Sequence, residues 1–340
     1  MERVTLGLIA ARLGLSKFAV SRALAGKSGV SEDTRQRVRE MAEALGYARP
    51  VAAIEAKTLG LVFHDTDLIN SELHLLIQSG VQAEAQRRGY QVRMRWTHRA
   101  EEVEAFISTC DGAVMVGPHD RGTYASVYAL GIPIVRTGWL QPLEQVDFVG
   151  GTDHEAGSAV AQHLVDLGHR SIVYVHGAPG YRGRIERYYG MREVLEGLPE
   201  VQFMQMTFDR EVRFIEHLRA AHDDGFLPTA FFCAHDGLAV TVISELLRLG
   251  YRIPEDATVV GFGDFSAATQ ISPQLTTVKV QGQQIGAGCV RVLDDRINDR
   301  VPRDVPMRVL VANRIVTRDS SGPRSALPRQ PSSYLRAFAR

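Results

Sequence analysis

The chain has 340 residues, a formal net charge of zero, 45% hydrophobic residues and 23% charged residues. This composition supports a large buried core and excludes a charge-rich disordered chain, and the length is enough for two or three domains. Because no apolar run approaches the ~20 residues that span a bilayer, and no secretory leader is recognisable, we expect a cytoplasmic protein.

The zero net charge hides an asymmetry along the chain. Residues 1–50 contain nine Lys/Arg and five Asp/Glu residues, whereas the remainder contains 30 Lys/Arg and 34 Asp/Glu residues. A basic first segment followed by a mildly acidic remainder predicts that only the first segment meets a polyanion.

Residues 5–47 predict three short amphipathic helices. The first ends at Gly14, and Ser16 and Ser31 stand where they can cap the second and third. A helix, a tight Gly-containing turn and another helix form a helix-turn-helix, whose second helix fits the DNA major groove. The apolar positions that predict the inward faces are Leu6, Ile9, Ala10, Leu13, Val20, Ala23, Leu24, Val38, Met41, Ala42 and Leu45.

From residue 59 onward, short apolar runs alternate with helical stretches. This alternation predicts an α/β body of parallel sheets covered by helices on both faces. Residues 59–320 exceed the usual size of one domain, so we expect two lobes. The expected first lobe comprises about 59–163 and 280–305, and the second comprises about 164–279 and 306–320. The predicted strands are 59–63, 90–96, 112–117, 132–138, 171–177, 203–208, 229–234 and 258–263.

Both ends of this body are expected to be irregular. Pro50 bars the third helix from continuing, so residues 1–49 form the expected head and residues 50–58 the expected linker. Residues 321–340 are rich in Pro, Ser and Arg and are expected to form a disordered tail.

Several segments resemble the lactose-repressor (LacI/GalR) family of bacterial transcription regulators. In the first 50 residues the matching segments are VTLGLIAARLGLS (4–16), AVSRALAG (19–26), VSEDTRQRV (30–38) and ALGY (44–47). In the body the matching segments, in family order, are 146–177, 187–191, 231–239, 253–266, 272–280 and 316–321. The resemblance covers roughly residues 3–321. It implies a helix-turn-helix head on a two-lobed body like that of periplasmic sugar-binding proteins, with a ligand in the cleft and a dimer interface along the body.

The resemblance places base-reading residues early in the second helix, at Lys17, Phe18 and Arg22. Arg can fork onto guanine O6 and N7, Lys can donate to the same atoms, and Phe offers only apolar contact to a thymine methyl group. The alternatives are a solvated Lys17 and a Phe18 that belongs to the core. Four hydroxyl residues near helix starts are expected to contact phosphates, to cap helices, or to do both: Thr5, Ser16, Ser21 and Ser31.

Two features depart from the family pattern in this region. Gly7 lies inside the first helix, where it should cost roughly 1 kcal/mol relative to Ala. The family linker is longer and carries a Leu that wedges into the minor groove. Ile54 is our candidate for that wedge, and a plain spacer is an equally open alternative.

The resemblance also implies an effector pocket. Asp153 and Arg187 match the family's pocket aspartate and arginine, and this pair suits neighbouring hydroxyls or a ligand carboxylate. His235 and Asp236 stand where the family often has Asn-Asp. Asp236 is favoured as the N-cap of the following helix rather than as a ligand contact.

Two further positions indicate that this pocket is not a standard hexose site. His74 stands where many members place a stacking Phe, and Gly263-Asp264 stands where sugar-responsive members often have a hydroxyl-binding Asp. We therefore add His74 and Asp264 to the expected effector residues. Additional walls, each favoured as ordinary core or surface, are Tyr181, Phe208, Trp139 and His64.

No motif of an enzyme, a metal site or a cofactor site stands out. The three cysteines Cys110, Cys233 and Cys289 fit a reducing compartment and form no disulfide or zinc pattern. The expected function is a transcriptional regulator, most simply a repressor, whose homodimer binds a palindromic DNA operator under control of a sugar or sugar acid. Two alternatives remain: a constitutive DNA binder with a degenerate pocket, and a solute-binding protein, which would not explain the head.

Overall fold

The computed structural model describes residues 4–24, 29–47, 57–67, 70–138, 140–177, 181–208 and 213–325. The chain divides into two compact units, Met1–Ala56 and Lys57–Arg340. We call the first unit the head and the second the body. The predicted wedge residue Ile54 lies outside the described residues.

The described part of the head contains three helices, as predicted: α1 (Leu6–Leu13), α2 (Lys17–Leu24) and α3 (Glu32–Ala44). Gly14 ends α1 in the left-handed conformation, with φ of 65°, which glycine adopts without steric cost. Ile9, Val20 and Val38 are fully buried, one from each helix. The three helices therefore share one small core, which the apolar spacing predicted.

The described residues of the body contain two six-stranded sheets. The order in the first sheet is β11-β5-β4-β3-β1-β2, and the order in the second is β12-β10-β9-β8-β6-β7. All pairings are parallel except that of β10 with β12. The strands are β1 (Thr58–Phe63), β2 (Gln91–Trp96), β3 (Gly112–Val116), β4 (Ile134–Thr137), β5 (Asp147–Gly151), β6 (Ser171–Val175), β7 (Gln202–Met206), β8 (Ala230–Cys233), β9 (Thr258–Gly263), β10 (Thr276–Lys279), β11 (Arg308–Val311) and β12 (Arg314–Val316).

Helices cover these sheets, which confirms the predicted fold class. The central strands are buried along most of their length, and β9 is buried at all six positions. Such strands carry continuous apolar runs because both of their faces are covered. The helices of the body are α4 (Ser71–Arg88), α5 (Ala100–Ile107), α6 (Arg121–Ala129), α7 (Asp153–Asp166), α8 (Arg182–Leu195), α9 (Phe214–Asp223), α10 (Asp236–Arg248), α11 (Ala267–Gln270) and α12 (Gly282–Ile297).

The lobe boundaries differ from those expected. The chain passes between the two sheets at residues 152, 280–281 and 312–313. Helix α7 packs against α8 and β12 in the second lobe, although residues up to 163 were expected in the first. Strand β11 pairs with β5 in the first sheet, although residues 306–320 were expected in the second lobe. A strand's pattern does not show which sheet edge it joins.

The expected linker (50–58) and the expected tail (321–340) each include residues that the structure places in the body. Thr58 pairs with Gln91 in the first sheet, and the Lys57 carbonyl accepts a hydrogen bond from the Gln91 amide. At the other end, the Gly322 amide donates to Thr258 Oγ1 at 3.1 Å, and the Arg324 amide donates to the Leu167 carbonyl. Residues 57–58 and 321–325 therefore belong to the body.

In two pairs of helices of the body, the backbones contact each other at glycines. A methyl group at Gly190 of α8 would overlap the His154 carbonyl of α7, and one at Gly157 of α7 would overlap the Arg187 carbonyl of α8. Helices α4 and α12 meet in the same way at Gly80 and Gly286. Backbones approach this closely only where a side chain is absent, so these glycines set the distance between the helices.

We expect Gly190→Ala to destabilise the body by about 1–3 kcal/mol, because no rotamer change relieves an overlap with backbone. Gly197→Ala is the matched control, since its methyl would meet only the Val194 carbonyl, at 3.7 Å. Thermal unfolding of both variants checks this expectation. Equal melting temperatures for Gly190→Ala and the parent would show that α7 and α8 can separate without cost.

Candidate functional site

The starts of the three head helices carry hydroxyl side chains, as predicted. Thr5 accepts a hydrogen bond from the Leu8 amide and Ser31 accepts one from the Thr34 amide, both at 3.3 Å. Ser16 accepts one from the Ala19 amide at 3.1 Å. All three are therefore helix caps, and their exposure leaves the phosphate role open as a proposal.

The outer face of α2 carries the predicted base-reading residues. Phe18 is 70% exposed, which excludes the alternative that it belongs to the core. The Arg22 guanidinium lies over the Phe18 ring, with its Cζ 5.4 Å from the ring centroid. Lys17 and Ser21 are also exposed, whereas Val20 and Ala23 face inward.

Gly7 has a specific role in this arrangement. A methyl group at Gly7 would stand 2.9 Å from Lys17 Cε, so the aliphatic part of Lys17 crosses α1 where Gly7 has no side chain. Gly7 therefore lowers the helix propensity of α1, and it also leaves space for the Lys17 side chain.

In the body, the candidate effector site is a cleft between the two lobes, of about 1050 Å³ counting the space at its open mouth. The strand order of each sheet reverses once, between β1 and β3 in the first and between β6 and β8 in the second. Loops after these strands contribute Asp67, Gly117 and His235 to the cleft. Ligands of open parallel sheets bind at such reversal points, beyond the carboxyl ends of the strands.

Asp153 and Arg187 come together in the cleft, as predicted. Arg187 Nε lies 3.1 Å from Asp153 Oδ1 and 2.9 Å from the Gly183 carbonyl, and the guanidinium also donates to the Ala234 carbonyl. Its Cζ lies 3.6 Å from the centroid of the Phe262 ring. Burial raises the pKa of Asp153, and the opposing effect of Arg187 does not cancel this rise.

His235 and His74 line the cleft from opposite lobes. His235 Nδ1 accepts a hydrogen bond from the Leu238 amide at 3.2 Å, so His235 is the N-cap of α10. Burial lowers the pKa of His235 to about 4, with Arg184 and Arg187 acting in the same direction. His74 Nε2 lies 3.4 Å from Asp67 Oδ2, and its ring packs near Phe63 and Trp96.

Asp236 and Asp264 are not among the residues that line the cleft. Asp236 is also not the N-cap of α10, because His235 caps that helix. Instead Asp236 accepts hydrogen bonds from Thr277 Oγ1 at 2.6 Å and from the Phe265 amide at 2.8 Å. Asp264 is paired with Arg318 and Lys279. Both carboxylates thus fix the loop after β9, and the ligand contacts predicted for them remain predictions.

Sequence reasoning missed six polar residues of the cleft: Asp67, Asn70, Thr137, Arg182, Arg184 and Asn313. Burial alone would raise the pKa of Asp67, but hydrogen bonds from His74, Asn70 and Tyr181 lower it below its usual value. Arg184 is 3% exposed, and burial together with Arg187 lowers the pKa of its guanidinium. Both amide atoms of Asn313 are buried, with no hydrogen-bond partner among the described residues.

The four residues considered as additional walls of the cleft differ in their positions. Tyr181 lines the cleft and its hydroxyl donates to Asp67 Oδ1 at 3.2 Å. Phe208 instead packs against Phe214. His64 lies beside His98 and His119, with ring centroids 5.7 and 5.0 Å away. Trp139 lies outside the described residues.

His119 gives the body a predicted acid sensitivity. Burial lowers its pKa to about 4, with His64 and Arg136 acting in the same direction and Asp120 opposing them. Because the unfolded state takes up a proton at ~6.5, stability is fully present above that pH and is lost as the pH falls towards 4. We expect His119→Phe, which keeps an aromatic ring beside Tyr124, to reduce the fall in melting temperature between about pH 7 and 5. An unchanged fall would assign the acid sensitivity to other groups.

Neither a metal-binding cluster nor a membrane-spanning helix is found among the residues that the structure describes. No group of three or more His, Cys, Asp or Glu side chains in them is placed to hold a metal ion. No helix in the same residues has the length and apolar character needed to cross a membrane.

The fold and the two sites define a class of protein: a helix-turn-helix regulator with a two-lobed sensor body. Residues 5–50 match the family model described as bacterial regulatory proteins of the lacI family, and residues 161–321 match a periplasmic binding protein-like domain. The chain therefore combines a DNA-binding head of the lacI family with a periplasmic binding protein-like body, which confirms the resemblance seen in the sequence.

Relatives of known name support this assignment. The HTH-type transcriptional regulator CelR of Thermobifida fusca is 28% identical, with coverage of 94% of this chain and 98% of CelR. The probable HTH-type transcriptional repressor ExuR of Bacillus subtilis is 25% identical, with coverage of 93% of this chain and 98% of ExuR.

Solved structures share the architecture. A CelR–cellobiose complex matches with a TM-score of 0.67 at 25% identity, covering 94% of this chain and 100% of its own. A lac repressor dimer bound to operator and the anti-inducer ONPF matches with a TM-score of 0.66 at 21% identity, with the same coverage. The second match shows a common fold.

Proposed function

We propose that this protein represses transcription by binding a palindromic DNA operator, and that a small molecule in the interlobe cleft controls this binding. The observation that carries the proposal is the presence, in one chain, of a helix face with exposed Lys17 and Phe18 and of a cleft between two lobes that is lined by apolar and charged side chains. The protein acts as a binding protein and not as an enzyme, since its family consists of transcription regulators.

The effector is a sugar or sugar acid. Its hydroxyl groups would meet Asp153, Arg187 and His235, which are the predicted effector residues of the second lobe that line the cleft. His74 and Asp67 offer polar groups from the first lobe. Paired carboxylate and guanidinium groups bind neighbouring hydroxyls well because they supply acceptors and donors at fixed spacing. The CelR–cellobiose complex supports a carbohydrate as the chemical class.

Hydrogen bonds between the two lobes explain how a ligand acts on the body. Glu72 of the first lobe accepts hydrogen bonds from the Ser266 amide at 2.9 Å and from its hydroxyl at 2.8 Å. Tyr181 of the second lobe donates to Asp67 of the first. A ligand that bridges the lobes favours the conformation that keeps these contacts, and so shifts the population of lobe arrangements.

The operator is expected to be a palindrome because two copies of one chain read it. In a symmetric dimer each head meets an equivalent half-site, and the half-sites lie about one helical turn apart. The lac repressor dimer bound to operator supports this assembly. Sedimentation of the full chain tests it, and monomers alone at working concentration would contradict the palindrome.

The deciding experiment is a thermal-shift screen of the full chain with neutral sugars, sugar acids and nucleosides. A ligand of the folded state raises the melting temperature by mass action. Each hit is then added to a complex of the protein with a duplex selected from a random library. Release or tightening of DNA supports the proposal, whereas a selected duplex that no compound affects favours a constitutive DNA binder with a degenerate pocket.

A further inference from the structure

The first turn of α8 lines the cleft and carries no acidic side chain. Arg182, Gly183 and Arg184 of this turn are all cleft residues. Tyr181, which precedes the helix, makes no side-chain hydrogen bond to the helix start. The N-terminus of a helix carries a partial positive charge, which favours acidic side chains and anions and disfavours arginines. The start of α8 therefore adds to the positive charge of its own arginines.

Two arginines of α8 are buried at the cleft. Arg184 is 3% exposed and Arg187 is 8% exposed. Burial removes the hydration of a guanidinium, and a nearby anion offsets this cost. Asp153 is such an anion for Arg187. The Arg184 guanidinium lies over the ring of Tyr181, another cleft residue, with its Cζ 4.5 Å from the ring centroid.

Two histidines near these arginines indicate the sign of the local potential. Burial lowers the pKa of His235, and Arg184 and Arg187 act in the same direction. The pKa of His176 is lowered by burial, and the same two arginines again act in that direction. Among the described residues that line the cleft, three are arginines and two are aspartates. The second-lobe side of the cleft is therefore electrically positive.

A positive cleft wall of this kind suits an anionic group better than a hydroxyl group. A guanidinium binds a carboxylate or a phosphate through two parallel N–H···O bonds, which are roughly twice as strong as bonds between neutral groups. The amides at a helix start favour the same anions. A hydroxyl group brings no charge that could offset the burial of a guanidinium.

We propose that the effector carries a carboxylate or a phosphate, and that Arg184 and the start of α8 hold this anionic group in the cleft. The proposal rests on the proposed function and narrows its effector class to sugar acids and sugar phosphates. Hydroxyl groups of the same molecule meet Asp153, Arg187 and His235. Arg184 is then the residue that distinguishes the anionic compound from its neutral counterpart.

Matched sets of compounds test the charge of the effector. The full chain is screened by thermal shift at constant ionic strength with D-glucose, D-galactose and cellobiose, each beside its uronic or aldonic acid and its phosphate monoester. We expect at least one anionic compound to bind about tenfold to a hundredfold more tightly than its neutral counterpart, the range for hydrogen bonds to charged groups. The acid and the phosphate of one sugar show which anion is preferred. Equal shifts with inorganic phosphate, sulfate or acetate alone would reveal a general salt effect and overturn the proposal.

Three variants assign the preference to Arg184. Arg184→Met removes the charge and should reduce the ratio of anionic to neutral affinity to nearly one, whereas Arg184→Lys keeps a charge and should retain part of the ratio. Arg192→Met is the matched control, because Arg192 lies on the same helix, pairs with Glu196 and is not a cleft residue. It should keep the full ratio. Melting temperatures without ligand verify folding, and if Arg184→Met does not fold, Arg184→Lys and the matched compounds on the parent chain decide.

The outcomes separate this proposal from the proposed function. If neutral sugars bind and their anionic counterparts bind no better, or if Arg184→Met keeps the ratio, the proposed function stands and the anionic effector is refuted. If a DNA sequence is enriched from a random library but no compound binds, the anionic effector is again refuted and a constitutive DNA binder is favoured. If no sequence is enriched either, the proposed regulator itself fails.

Discussion

Replacing Arg187 by Ala will abolish the response to the effector and will cost the body roughly 3 kcal/mol of stability, the cost of breaking a buried ion pair from one side. Arg187 is 8% exposed, and its guanidinium contacts Asp153, the Gly183 and Ala234 carbonyls and the Phe262 ring. Without it, Asp153 keeps its charge in a desolvated place or takes up a proton. Burial already raises the pKa of Asp153, so loss of the guanidinium moves it further in the same direction.

A double variant separates stability from recognition. Asp153→Asn with Arg187→Met removes both charges at similar volume, so most of the lost stability should return, because no unpaired charge remains. The effector response should stay absent, since neither the carboxylate nor the guanidinium is left to hold the ligand. The melting temperature without ligand and its shift with a screening hit measure the two effects. A double variant that responds like the parent would show that the pair is structural.

The sequence predicted the elements of the fold better than their assignment to lobes. Continuous apolar runs marked β1, β3, β6, β8 and β9, because strands buried on both faces must be apolar throughout. The runs carry no information about which sheet a strand joins. Strands β11 and β12 are separated by only two residues, yet they belong to different sheets. The expected boundary at residue 306 therefore fell before β11 instead of after it.

Some residues of the cleft could be predicted from the sequence and others could not. Asp153 and Arg187 were found by resemblance, and Arg184 had a usable signal, because it lies one helical turn before Arg187 and so faces the same side. Asp264 was expected in the cleft, whereas the next residue, Phe265, lines it. Gly263 and Asp264 have positive φ values of 134° and 58°, and this turn takes the carboxylate to Arg318 and Lys279 while Phe265 lines the cleft. A sequence pattern does not reveal such a turn.

Asn313 and Asp67 had no sequence signal. Asn313 lies in the two-residue connection between β11 and β12, and its backbone N–H donates to Thr152 Oγ1 of another connection between the lobes. Asp67 lies in the loop after β1. Both residues reach the cleft because of the way the chain crosses between sheets, so only the three-dimensional arrangement identifies them.

Replacing Arg22 by Ala will remove most of the sequence preference and leave a weaker binding that depends on salt. A bidentate contact between Arg and guanine is worth about 1–3 kcal/mol of discrimination, roughly fivefold to 150-fold for each head. Lys17 and the helix caps Thr5, Ser16 and Ser31 remain in the variant. Contacts to phosphates do not distinguish sequences, so these groups should still support non-specific binding.

The measurement compares a selected duplex with a scrambled one over a range of salt concentrations. For Arg22→Ala, the two affinities should converge, and both should keep a negative slope of log affinity against log salt. Arg39→Ala is the charge-matched control, because Arg39 is an exposed residue of α3 and is not part of the predicted base-reading helix. It removes one positive charge and should preserve the ratio of the two affinities. If Arg39→Ala and Arg22→Ala reduce the ratio equally, charge alone explains the effect, and the outer face of α2 does not read bases.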